Sequence, residues 1–206
     1  MNKFIETINI LDGVPQRLFY HTQRMNHTIH CFYPNAKSIN LEGILRPQIT
    51  HGQQKCRIIY SNQIEEITCS TYIKKEIKSL QIIHNNTIDY AFKWADRQIL
   101  NDLLKLKGAC DEIIIIKQGY VTDTSYTNIA FYDGEKWYTP DTPLLPGTCR
   151  ASLIDEGLIS VKKIRETDIW KYKKVSLINA MMNLEEREMP ITSIKKNENA
   201  DSRLIL

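Results

Sequence analysis

The chain has 206 residues, with 27 Lys and Arg against 24 Asp and Glu, for a formal net charge of +3. Apolar residues make up 42% and charged residues 25%, a globular balance that excludes disorder, collagen-like repeats and coiled coil. The basic residues fall in isolated pairs such as Lys74–Lys75, Lys162–Lys163 and Lys195–Lys196, which read as solvated faces and not as a nucleic-acid stripe.

The first six residues carry Glu6 where a signal peptide would have its apolar core. Phe4 to Leu11 alternates apolar and polar residues and closes on Asp12-Gly13, a strand and turn. Gln16 to Phe32 spaces Leu18, Phe19, Met25, Ile29 and Phe32 as a helix does, ending before Pro34. Residues 34–55, with Gly43, Pro47 and Gly52, read as irregular. Cys56 to Tyr60 and Ile67 to Tyr72 read as two strands around a turn at Ser61-Asn62, and Leu80 to Ile83 as a third. The polar stretch His84-Asn85-Asn86-Thr87 marks a boundary near residues 84–90, dividing the chain into units 1–86 and 87–206.

Beyond it, Phe92 to Leu106 reads as an amphipathic helix ended by Gly108. Asp111 to Ile116 is a β-branched run suited to a strand buried on both faces. Its four isoleucines are the longest apolar run, against the roughly 20 residues of a spanning helix, so no membrane partner is expected. Asn128 to Tyr132, Lys136 to Tyr138 and Val175 to Ile178 read as strands, and Gly147 to Leu158 as a helix. Strands and helices in this mixture give an α/β or α+β class. Five cysteines without a C-x-x-C pair (Cys31, Cys56, Cys69, Cys110 and Cys149) suit reduced thiols in a cytoplasm.

Three patterns carry chemistry. Lys93 stands between Phe92 and Trp94, and an apolar setting lowers an amine's pKa toward nucleophilic use; the plainer reading is a surface lysine at a helix start. Gly119 to Asn128 follows the isoleucine strand and holds Asp123 five residues before Asn128; by itself Asp123 also reads as a turn aspartate. Leu144-Leu145-Pro146-Gly147-Thr148-Cys149-Arg150 opens a helix whose first amides suit a phosphate, although Leu-Pro-Gly is also common punctuation.

In this order and spacing the patterns resemble the class IV aminotransferase family, pyridoxal-phosphate enzymes of fold type IV. Phe4-Ile5-Glu6-Thr7-Ile8 with His21-Thr22-Gln23-Arg24 is similar to the family's opening strand and H-x-x-R helix, and Leu177 to Met181 to its late phosphate-side loop. The resemblance covers most of the chain. It implies a two-domain fold like D-amino-acid aminotransferase, with mixed sheets and flanking helices: a small N-terminal domain over 1–86 and a cofactor-binding domain over 87–206. It also implies a homodimer acting on a small amino substrate.

By the resemblance, Lys93 forms the Schiff base with pyridoxal phosphate and moves the substrate Cα proton. Asp123, where the family usually has glutamate, keeps the cofactor's ring nitrogen protonated, and Asn128 belongs to the same cofactor-binding set. Arg24, the amides of Thr148 and Cys149, and Asn179 with the Ala180 amide hold the phosphate. His21 reads as structural, Arg150 as a cap or pairing residue near the helix that Gly147 opens, Tyr90 as packing or hydrogen-bonding beside the lysine, and Asp96 and Arg97 as supports. His27, His30 and Cys31 imitate a metal corner without further ligands, so no metal is expected. Arg46 and Arg57 are unranked candidates for a substrate carboxylate. The Asn179-Ala180 loop favours 4-amino-4-deoxychorismate lyase, which releases pyruvate and 4-aminobenzoate. An amino acid transaminase is the alternative, and a non-catalytic relative acting as an interaction module is the alternative from another class.

Overall fold

The computed structural model describes residues 2–45 and 51–196; Arg46 and Pro47 lie outside the described residues. β1 (Phe4–Leu11) turns through Asp12-Gly13 into β2 (Val14–Pro15). Even-numbered β1 residues Phe4, Ile8 and Ile10 enter one core cluster, while Ile5 and Thr7 face a cavity on the other side. α1 (Leu18–Phe32) buries His21, Met25, Thr28 and Ile29, a stripe at helical spacing, and begins two residues later than its periodicity suggests. β3 (Gln53–Tyr60) and β4 (Ile64–Thr71) complete an antiparallel sheet of order β2-β1-β3-β4, with β4 an exposed edge.

β5 (Leu80–His84), N-terminal to the expected boundary, pairs in parallel with β6 (Glu112–Lys117), in a sheet of order β13-β5-β6-β7 with β7 (Tyr120–Val121) and β13 (Ile194–Lys195). The isoleucines of β6 are buried on both faces: Ile113 and Ile115 join one core cluster, Ile114 and Ile116 another. A third sheet, of order β10-β9-β8-β11-β12, contains β8 (Asn128–Tyr132), β9 (Trp137–Pro140), β10 (Ser160–Lys162), β11 (Lys174–Ile178) and β12 (Glu188–Pro190). α3 (Thr148–Asp155) is shorter than the span 147–158 read from the sequence.

One expected element changes character. The helix expected over 92–106 starts only at Gln98, as α2 (Gln98–Leu104), followed by a 3-10 turn over Lys105–Lys107. Residues 92–97 instead run along β1: the Ile5 amide donates to the Lys93 carbonyl at 2.9 Å and the Ala95 amide to the Lys3 carbonyl at 2.9 Å. The cause is aromatic burial. Trp94 packs on Phe4 at 4.6 Å between ring centroids and on Phe32 at 5.2 Å, and a helix there would pull Trp94 from the core shared by β1 and α1. Asp96 then accepts the Gln98 amide at 2.8 Å and starts α2. Among the described residues, no helix is long and apolar enough to cross a membrane.

Candidate active site

A cavity of about 410 Å³ opens between β1 and β3 on one side and the start of β8 on the other. Lys93 reaches it from the segment bound to β1, Arg24 from α1, Asp123 from the loop between β7 and β8, and Asn128 from the start of β8. Gly147 and Thr148 border it at the α3 N-terminus, and Asn179 and Ala180 in the loop after β11. Seven of the eight cofactor-binding residues expected from the sequence thus line one space. Cys149, expected to act through its backbone amide, turns its side chain away: the thiol is buried, 3.7 Å from the Met182 carbonyl, and the amide lies in the first turn of α3.

Lys93 is a weak base here. Burial disfavours its ammonium form, Arg24 and Arg97 repel it further, and its pKa falls to about 8 although Glu6 and Asp123 act the other way. Asp123 moves in the opposite direction: burial lifts its carboxyl to about 6, against the Leu145 amide at 3.0 Å and the Asn128 side-chain amide at 2.7 Å. Asn128 also donates to the Leu145 carbonyl at 2.9 Å, so it ties the Asp123 loop to the segment leading into α3. Gly147 is required by that tie. A Cβ at this position would stand 2.0 Å from Asn128 Oδ1.

Arg24 is aimed by a buried carboxylate. Its Nε donates to Glu6 Oε1 at 2.9 Å, its Nη2 to Glu6 Oε2 at 2.6 Å, and its Nη1 to the Pro146 carbonyl at 3.3 Å. Burial alone would raise the Glu6 carboxyl, but Arg24 and His21 hold it at about 2. His21, fully buried and with its pKa pushed down by burial, is a neutral ring. Facing ionised Glu6 at 2.6 Å, its Nδ1 carries the proton, so Nε2 accepts from the Thr148 hydroxyl at 3.2 Å. The structural reading of His21 therefore holds in its geometry: the ring links β1 to the α3 N-terminus. Gly147 offers no side-chain cap to the first turn of α3, whose amides remain free for an anion.

The remaining side chains named in the sequence reading have partners of their own. Arg150 does not cap α3; it reaches β9, donating to Thr139 Oγ1 at 3.2 Å and to the Pro140 carbonyl at 2.9 Å. Arg97 lines the cavity and donates to the Ser125 carbonyl at 2.7 Å. Tyr90 lines it too, its hydroxyl donating to the Trp94 carbonyl at 3.2 Å. Asn179 Oδ1 accepts the Met181 amide at 2.8 Å, shaping the turn that presents Ala180. Arg57 borders the cavity beside Lys55, Tyr72 and Tyr126. His27 meets Cys31 at 3.7 Å and stacks on Phe92; among the described residues no His, Cys, Asp and Glu cluster could hold a metal ion.

Two working residues carried no role in the sequence reading. Glu6 was legible by parity, since it shares the core face of β1 with Phe4 and Ile8, where a carboxylate must find partners. Glu112 opens an apolar strand and is fully buried; it accepts the Ser125 amide at 3.2 Å and hydroxyl at 3.0 Å, contacts between residues 13 apart that no local pattern announces.

The profile of the family described as amino-transferase class IV matches residues 87–194. An uncharacterized protein of Haemophilus influenzae is 38% identical over 188 residues, spanning 89% of this chain and 100% of that one. A crystal structure from Haemophilus somnus 129PT, whose assignment as a 4-amino-4-deoxychorismate lyase is provisional, superposes with a TM-score of 0.85 at 38% identity, over 89% of this chain and 98% of that one. The PLP-bound form of a hypothetical aminotransferase from Mycobacterium tuberculosis has a TM-score of 0.74 at 15% identity, over 98% of this chain and 86% of the other, a likeness of fold alone.

Proposed function

The chain belongs to the amino-transferase class IV family, and on that premise we propose that it is a pyridoxal-phosphate lyase acting on 4-amino-4-deoxychorismate, releasing pyruvate and 4-aminobenzoate. The donor set fits the cofactor. An aldehyde asks for an amine that is free near neutral pH, a pyridine nitrogen for a buried carboxylate, and a phosphate ester for a guanidinium and free helix amides. Lys93, Asp123, and Arg24 with the α3 N-terminus are these groups, gathered on one cavity. When bound, pyridoxal phosphate supplies an electron sink for the pair left at the substrate's amino-bearing carbon.

The chain's own residues do the rest. Lys93 would hold the cofactor through its aldehyde, and it is the base for the proton on the substrate's amino-bearing carbon. Asp123 holds the proton on the ring nitrogen, with Asn128 and the Leu145 amide fixing both carboxylate oxygens. Arg24, the amides of Thr148 and Cys149, and the Asn179-Ala180 turn hold the phosphate. Delivery of that proton by Lys93 to a departing enolpyruvyl unit would give the lyase outcome; delivery with the substrate skeleton intact would give transamination.

The observation that carries the reading is Lys93 itself, half-buried on the cavity wall with its pKa lowered to about 8; an interaction module has no use for such an amine. The lyase outcome is supported by the 38% identical Haemophilus somnus relative. It is also supported by the wall formed by Tyr72, Tyr126, Lys55 and Arg57, which suits a ring bearing carboxylates. A homodimer in the cytoplasm belongs to the same proposal, and five free thiols suit that compartment. The test is to offer the yellow holoenzyme 4-amino-4-deoxychorismate and, separately, amino donors with 2-oxo acids. Formation of 4-aminobenzoate and pyruvate is expected. Transamination without 4-aminobenzoate would replace the lyase with the transaminase.

A further inference from the structure

Outside the active site, two cysteines face one another across the small sheet. Cys56 on β3 and Cys69 on β4 are direct partners in the antiparallel ladder. Further along it, the Tyr72 amide donates to the Gln53 carbonyl at 3.0 Å, so 53 and 72 form a hydrogen-bonded pair. Hydrogen-bonded and non-hydrogen-bonded pairs alternate along such a ladder. Counting from 53/72 through 54/71 and 55/70 puts Cys56/Cys69 at a non-hydrogen-bonded position. There the α-carbons stand roughly 4.5 Å apart and the side chains are at their closest, inside the roughly 4.4–6.8 Å that a disulfide spans.

Their surroundings differ in a useful way. Cys56 is fully buried in the core beneath α1, whereas Cys69 is exposed on an edge strand that pairs only with β3. We propose that Cys56 and Cys69 are a site of reversible thiol oxidation, closing a cross-strand disulfide by exchange with a low-molecular-weight disulfide. The Cys69 thiolate attacks one sulfur of that reagent, and the reagent's other half leaves as a thiolate. Cys56 then attacks the Cys69 sulfur and expels the second half. The two cysteines lose two protons and two electrons, and the reagent is reduced to two thiols.

Burial and the neighbouring Cys69 thiol push the Cys56 thiol up to about 12. The second exchange is therefore the slow one, and it speeds up as pH rises. The site does not depend on the activity proposed above, so its test reads thiols alone.

Oxidised glutathione is added to the native protein, the reaction is quenched with an alkylating reagent, and peptides are weighed without reduction after trypsin, which cuts between the two cysteines at Arg57. The expected product is a Cys56–Cys69 linked peptide, lighter by two hydrogens than its reduced parts, that dithiothreitol reverses. Cys31, the other exposed thiol, stops at a glutathione adduct. Cys56→Ser holds Cys69 at the adduct, and Cys69→Ser leaves Cys56 unmodified. An adduct persisting on wild-type Cys69 with Cys56 free at every pH overturns the proposal. So does a linked peptide that forms only in denaturant, or a Cys69 that does not react.

Discussion

Lys93 and Asp123 are set by the same force acting on opposite charges. Burial lowers the amine to about 8 and raises the carboxyl to about 6, so near neutral pH one is partly free base and the other mostly ionised. The sign of the pH dependence follows. Below the lysine's pKa the reactive free amine falls about tenfold per pH unit; below about 6 Asp123 also loses its charge. Uptake of pyridoxal phosphate by cofactor-free protein, followed by its absorbance, should accelerate from about pH 6 and level off above about 8. A rate independent of pH over that range would show that Lys93 is not the group taking the aldehyde. Both residues were legible in the sequence as motif members. Their titration was not, because it depends on burial, and for Lys93 also on Arg24 and Arg97, all of which only the fold supplies.

The elements work through their ends. The first turn of α3 is held from three sides: Asn128 of β8 bonds the Leu145 carbonyl, Arg24 of α1 bonds the Pro146 carbonyl, and His21 accepts from Thr148. Gly147 sits where these meet. Gly147→Ala would drive a methyl into Asn128 Oδ1, so Asn128 must move and release Asp123. The expected cost is about 1–3 kcal/mol of stability, as for other overpacked sites, with weaker cofactor binding, read by thermal melting and cofactor titration. Unchanged values for both would mean that this tie does not position the site. How much of each element was legible depended on how much of its face is buried. The alternation of β1 and the apolar run of β8 gave both strands to the residue. The helix expected over 92–106 drew its periodicity from Ile99 to Leu106; the aromatic rings of segment 92–97 pack into the core shared by β1 and α1, and tertiary contact keeps that segment out of the helix. β12 and β13, at three and two residues, are too short to carry any period.

For the whole molecule, strands of two sheets and the loops beside them close on one cavity whose charge is lopsided among the described residues. Arg24, Lys55, Arg57, Lys93 and Arg97 border it against a single carboxylate, Asp123. A net charge of +3 over the chain hides this concentration: composition excluded partners but located nothing, and the cationic wall exists only once β3 lies across from Asp123. Such a space is built for anions: a phosphorylated cofactor at one end, a carboxylate-bearing substrate at the other. The account stands or falls on Lys93 as the residue that takes the cofactor. Borohydride reduction of the yellow protein, followed by peptide mass analysis, measures this directly. A phosphopyridoxyl group on Lys93, absent from Lys93→Ala, is predicted. A colourless protein that will not take up the cofactor, or a label on another lysine with Lys93→Ala still active, would contradict it.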